Sequence, residues 1–256
     1  MEEVINLSET QLGVKGKKAV TLFCKALLNA PNVNIQSITL YGSAARQDYR
    51  PGKSDINLLI VLEQIDVPIL KSVLNAVSRG RRNRIAPFFI TEENLRTSAD
   101  VFPVKFFGMR ESYQVVLGRD FLGDLEISRE HLRLRCEQEI KNLLLSLRRH
   151  FIMGGGRRLR EMMSTMIVGF LENLRVVLSL TQEGLLPREE VVNAAAKKFG
   201  VDDEILRKVS ALRNRNVSLS GKEAEQLYDK FMAIVGKVGQ IVDRIHQSSI
   251  SGESMN

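Results

Sequence analysis

The chain has 256 residues, 44% of them apolar and 26% charged, with a formal net charge of +7. These proportions belong to a folded globular protein and exclude a disordered one, and the length allows one large domain or two ordinary ones. No apolar run in the sequence approaches the roughly 20 residues that span a bilayer. The opening MEEVINLSETQ is too acidic and polar for a secretory signal, and the two distant cysteines, Cys24 and Cys136, lack metal-ligand spacing. A cytoplasmic protein with reduced thiols and no membrane segment is therefore expected.

Taken in order, residues 8–29 read as a helix capped by Ser8, with Glu9 in its first turn and Leu12, Val20, Phe23, Leu27 and Leu28 on its buried stripe. Pro31 ends it. Ile38 and Leu40, then Leu58, Ile60 and Leu62, alternate in two short apolar runs bounded by turn residues, the pattern of half-buried strands. A helix is predicted over Asp66–Ser78, from the helical spacing of Ile69, Leu70, Val73, Leu74 and Val77. The basic loop RGRRNR leads to a third strand, Ile85–Ile90, after which Thr91 caps a short helix opened by Glu92 and Glu93. Residues 103–108 and 112–117 read as two more strands, the first being an edge strand or beginning just after Pro103.

From Ser128 the texture becomes helical. Leu132, Cys136, Ile140, Leu143, Leu144, Leu147 and Phe151 share one face, and the three glycines at 154–156 stop that helix. A second long helix carries Leu159, Met162, Met163, Met166, Phe170, Leu174, Val177 and Leu178, and leaves through Gly184 and Pro187. Two short helices, Arg188–Phe199 and Asp203–Leu212, precede a last one from Lys222 to His246. The tail 248–256 reads as disordered. The expected division is an α/β unit at 1–127 and a helical bundle at 128–256. The first holds 16 basic against 14 acidic residues and the second 21 against 16, excesses of +2 and +5. An anionic partner is favoured, and a nucleotide or a nucleic acid would satisfy it equally. The methionine-bearing helix faces can pack within the chain, across a homodimer or on a protein partner.

The chemistry concentrates in ITLYGSAARQDYRPGKSDINLLIVL, residues 38–62. Glycine lets a backbone approach a ligand closely, and a strand-to-helix turn directs free N–H groups at an anion. Asp55 opens the second strand beside that turn, a suitable place for a metal-binding carboxylate. At these residues the chain resembles the nucleotidyltransferase superfamily, with its polymerase-beta-like fold. The family pattern is a Gly-Ser or Gly-Gly turn followed by two carboxylates separated by one apolar residue at a strand start. Gly42-Ser43 and Asp55-Ile56-Asn57 occupy those places, with Arg46 and Lys53 between them.

The resemblance implies an α+β fold: a small mixed sheet with flanking helices, followed by an all-α bundle similar in layout to small relatives of kanamycin nucleotidyltransferase. It also implies Mg2+ and a nucleoside triphosphate as cofactors of an active member. Asp55 would be metal ligand and catalytic residue, and Asn57 stands at the second catalytic position without a charge. Gly42, Ser43, Arg46 and Lys53 would hold the phosphates. The third family carboxylate is expected on Ile85–Ile90, where IAPFFI has no acid, leaving Glu92, Glu93, Asp100 or Glu111 to reach the site from another element. Asp48 reads as a turn residue.

Three functions follow. The first is a nucleotide-binding or regulatory module with a degenerate metal site and weak or no transfer. The second is an active transferase moving a nucleoside monophosphate to a small-molecule or protein hydroxyl. The third is a nucleic-acid-binding accessory protein acting through Arg79, Arg81, Arg82 and Arg84, or through Arg157, Arg158 and Arg160, clusters that also read as solvated loops. His131, His150 and His246 are too scattered for a metal site. Gly52-Lys53-Ser54 lacks the upstream glycine of a Walker A loop.

Overall fold

Strand β2, Ile56–Leu62, is buried at six of its seven positions. Successive side chains of a strand point to opposite faces, so such a run needs cover on both. The computed structural model supplies it, describing residues 5–46, 49–181, 186–214 and 217–251 and side chains as far as residue 245. β1 (Ile35–Tyr41), β3 (Ile85–Thr91) and β4 (Tyr113–Gly118) complete a sheet of order β3-β2-β1-β4. β1 runs antiparallel to β2 and β4, and β3 runs parallel to β2. The parallel pair needs a crossover, and helix α2, Val67–Arg81, provides it.

One face of the sheet offers Ile38, Leu40, Leu58 and Ile60 to Val20, Phe23 and Leu27 of α1 (Val14–Leu28) and to Ile69 and Val73 of α2. The other offers Leu59 and Val61 to Leu95 of α3 (Glu92–Thr97), to Phe106 and Met109 of α4 (Pro103–Arg110), and to Phe121, Leu122 and Leu125. Two caps fix where the crossing helices begin. Asp66 Oδ1 accepts from the Ile69 N–H at 2.8 Å, and Thr91 Oγ1 accepts from the Asn94 N–H at 3.1 Å.

Two expectations for this unit are corrected. The first helix starts at Val14 rather than at Ser8, because the chain before it is held elsewhere. The Asn6 N–H donates to Val116 O and the Gln11 N–H to Ala44 O, while Asn6 Oδ1 accepts from both the N–H and the hydroxyl of Ser8. Residues 103–108 form helix α4, not an edge strand. Pro103 occupies its first turn, where the missing N–H has no helical partner to lose, and Phe106 and Met109 are three apart on its buried side.

By contacts the chain divides into Met1–Ile127 and Ser128–Asn256. The second unit holds α5 (Arg129–Gly154), α6 (Leu159–Leu180), α7 (Val191–Phe199), α8 (Asp203–Ala211) and α9 (Gly221–Ser251). Ser128 caps α5 through the His131 N–H. Phe170 of α6 meets Phe231 of α9 edge-on at 5.6 Å, and the buried Tyr228 hydroxyl donates to Leu147 O at 2.7 Å. Met163 is buried while Met162 and Met166 are half-buried. Two further corrections arise here. α9 continues to Ser251, since no glycine or proline stands between Gly239 and Gly252. α6 is long and apolar enough, by length and composition, to cross a membrane, and 56% of its apolar window is buried inside the protein, as in a core helix. Gly184, Arg215, Asn216 and the tail from 252 lie outside the described residues.

Two glycines test this fold in opposite directions. At Gly118, φ is +79° and an added Cβ would stand 2.0 Å from Gln36 O, so Gly118→Ala should cost about 2–4 kcal/mol. Gly108 lies inside α4 with nothing within 4 Å of such a Cβ, so Gly108→Ala should stabilise by about 0.5–1 kcal/mol. Denaturant unfolding of the two variants gives both signs. A destabilised Gly108→Ala would count against the helical assignment of α4.

Candidate functional site

The register gathers four strand ends in one place. Tyr41 pairs with Asn57 and with Tyr113, and Asn57 pairs with Ala86. Ala86, Asn57, Tyr41 and Tyr113 therefore form a row across one end of the sheet, on the face of Leu59 and Val61. Just beyond it the chain leaves β1 in a single 3-10 turn, Gly42–Ala45. The Gly42 N–H donates to Ser112 O at 3.0 Å, fastening the turn to the start of β4. Gly42 has φ +77°, and a Cβ there would stand 3.3 Å from Asn57 Nδ2. Glycine is required at that position, and the Asn57 amide lies against it. Ser43 and Arg46 belong to the same turn, the Arg46 N–H donating to Ser43 O at 3.1 Å.

Asp55 stands at the mouth of β2, where its carboxylate is held by Arg84 at 2.9 Å. Arg84 also donates from Nε to Ser54 O at 3.3 Å and from Nη2 to Lys53 O at 2.8 Å. Its backbone sits at φ +60°, a conformation uncommon for a side chain of this size. The Ile56 N–H donates to Arg84 O at 2.9 Å, so the residue is anchored at both ends. Arg84 is the last arginine of RGRRNR, and the parallel register of β2 and β3 delivers it to Asp55. Two grooves meet at it. One, of about 680 Å³, includes Asp55, Arg81, Arg84, Val77 and Phe89 in its lining; the other, of about 290 Å³, includes Lys15, Tyr49, Arg82 and Arg84.

Acidic side chains are sparse. Among the described residues, no group of three or more His, Cys, Asp or Glu side chains is arranged to hold a metal ion. The β3 position level with Asn57 is Ala86, and the next on that face is Phe88, whose ring carries the Lys105 ammonium 3.5 Å above its centroid. Burial lowers the Lys105 pKa. Glu92 and Glu93 follow Thr91, which pairs with Leu62, five residues up β2 from Asn57. That places them about 16 Å away at the opposite end of the sheet, where Glu92 pairs with Arg96. Asp100 lies in the turn after α3. Glu111 differs. It immediately precedes Ser112, whose carbonyl binds Gly42, so the fold brings it to the site end. Asp48 lies outside the described residues.

Sequence reasoning missed the pair beside Glu111. The Tyr113 hydroxyl donates to Asp120 Oδ2 at 2.8 Å, while Asp120 Oδ1 accepts from the Leu122 and Gly123 N–H groups. Burial first, then the Asp120 hydrogen bond and charge, push the Tyr113 hydroxyl up to about 12. The second arginine cluster divides: Arg157 and Arg158 are exposed, but Arg160 binds Leu212 O, Asn214 O and Val217 O and serves the bundle.

No family model matches the sequence, and no curated protein matches it by sequence. In structure the chain is similar to a spectinomycin adenyltransferase from Enterococcus faecialis, crystallised with ATP and spectinomycin. The two share 12% identity over 86% of this chain and 99% of that one, with a TM-score of 0.52. The fold is thus nucleotidyltransferase-like: a mixed four-stranded sheet with flanking helices, followed by a helical region.

The raised Tyr113 value has a measurable sign. The folded state favours the neutral phenol, so its contribution is complete below the ordinary value of 10 and is lost as pH climbs through about 12. The stability advantage of the wild type over Tyr113→Phe should hold steady below pH 10 and shrink above it. Tyrosinate absorbance of Asp120→Asn should show a titration moved back toward the ordinary value. An unmoved titration would remove Asp120 as a cause.

Proposed function

We propose that this protein binds a nucleoside triphosphate, or a polyanion like it, at the Gly42–Asp55–Arg84 end of the sheet and transfers little or none of it. It would act as a nucleotide-responsive regulatory module. The observation that carries this reading is the sheet-end row itself: Asn57 beside Gly42, Ala86 on the neighbouring strand, and Asp55 already engaged by Arg84. Two-metal nucleotidyl transfer needs carboxylates that clamp the ions on the attacking and leaving oxygens. At the motif positions, one ion-paired carboxylate and one neutral amide do not make such a clamp.

What remains suits binding. The Gly42–Ser43 turn is a tight bend at a strand end, and Arg46, Lys53 and Arg84 would neutralise phosphate oxygens around it. The fold neighbour's crystallisation with ATP supports a nucleotide in particular. A second reading rests on Glu111. If its carboxylate reaches the Asn57 row, the site regains an acid and transfer of a nucleoside monophosphate to a hydroxyl becomes feasible.

Thermal unfolding with each nucleoside triphosphate, run beside a transfer assay with labelled nucleotide, separates these readings. A ligand at roughly 100 times its Kd adds about 2.7 kcal/mol to stability. At least one nucleotide should raise the midpoint by several degrees with no label transferred. No shift with any nucleotide would overturn the binding site. Turnover within the ordinary enzymatic range, abolished by Glu111→Gln, would establish the second reading instead.

A further inference from the structure

We infer that Arg84 is the resident cation of this site, standing beside Asp55 where the family resemblance would place a divalent metal, so that a polyphosphate binds here without metal. The inference rests on the proposed nucleotide binding and specifies its electrostatics. A hard divalent ion is held by carboxylate and carbonyl oxygens. Three oxygens of that kind, Lys53 O, Ser54 O and Asp55 Oδ1, converge from consecutive residues on Arg84: the two carbonyls accept hydrogen bonds from it, and the carboxylate is ion-paired with it at 2.9 Å. The guanidinium has five N–H donors in a fixed fork. Nε and Nη2 serve the loop, while Nη1 has no hydrogen-bond partner among the described residues, and the side chain is 46% exposed. The fork can grip the loop and still present donors to an anion.

The placement is not that of a solvated loop charge. A left-handed backbone at a non-glycine residue persists only where its surroundings fix it. Here the β2–β3 ladder bond from Ile56 and the three side-chain contacts do so. Around Arg84 stand Lys15, Arg81 and Arg82 in the two grooves and Lys53 in the gripped loop, with Asp55 the one acid among these lining and loop residues. Five cations against one carboxylate leave a local excess of +4. Such a field draws polyphosphate and weakens with salt. Asp55 is then the residue that orients Arg84, and its negative charge opposes the ligand instead of recruiting it through metal.

That reversal of sign gives the test. Tripolyphosphate is titrated calorimetrically into the full chain at low salt, once in EDTA and once in magnesium. The wild type should bind in EDTA at least as tightly as in magnesium, since magnesium neutralises the ligand. Asp55→Asn should bind equally or more tightly. Arg84→Ala should lose at least tenfold. Arg84→Lys, which keeps the charge without the fork, should fall between the two, and it guards against a loop that no longer folds. Binding that appears only with magnesium and disappears in Asp55→Asn would overturn the inference while leaving nucleotide binding intact. An unchanged Kd in Arg84→Ala would also overturn it. No binding of tripolyphosphate or of any nucleotide in either condition would overturn both.

Discussion

Burial of β2 on both faces is the constraint from which the first unit follows. Six of its seven side chains are out of water, each large one contributing about 1.5–3 kcal/mol to holding it there. A strand so placed needs a neighbour on each side and a layer above and below. β1 and β3 fill the flanks, α1 and α2 cover one face, and α3 and α4 cover the other. The seventh side chain, Asn57, is the exception, and it lies where β2 meets the Gly42 turn. The candidate site therefore lies where burial gives out, at the end of the strand buried at six of its seven positions.

Much of that frame was legible in the sequence. The alternation of Leu58, Ile60 and Leu62, the helical spacing after Asp66, the cap at Thr91 and the family resemblance at the Gly-Ser turn ahead of Asp55 together led to the α+β fold. What failed were short elements and long-range neighbours. An eight-residue helix such as α4 shows barely two turns of periodicity, and its two phenylalanines and leading proline mimic a strand. The residues before α1 have helix-compatible chemistry, yet the Asn6 bond to Val116 and the Gln11 bond to Ala44 hold that stretch outside it.

The site was half legible for the same reason. Gly42, Ser43, Asp55 and Asn57 lie within sixteen positions of one another and share a local pattern. Arg84 lies 29 positions beyond Asp55, and only the parallel pairing of β2 with β3 brings it back. Before the strands are paired, RGRRNR is a run of loop charges. Afterwards one of its members is tied to the Lys53–Asp55 segment by two hydrogen bonds and an ion pair. Asp120 is similar: its carboxylate looks like spare acidity until the Tyr113 hydroxyl and two backbone N–H groups account for it.

An exposed ion pair is worth only about 0–1 kcal/mol to folding, so the Asp55–Arg84 contact matters less for stability than for what it makes available. On the proposed reading it turns an acidic motif into a cationic one on a nucleotidyltransferase-like sheet. A crystal structure of the protein with a non-hydrolysable nucleoside triphosphate, grown in manganese and measured for anomalous scattering, tests that conversion most directly. A phosphate should lie against the Arg84 guanidinium, with no anomalous peak between Asp55 and Asn57. A manganese peak at Asp55, with Arg84 swung away from the Lys53–Asp55 loop, would contradict it.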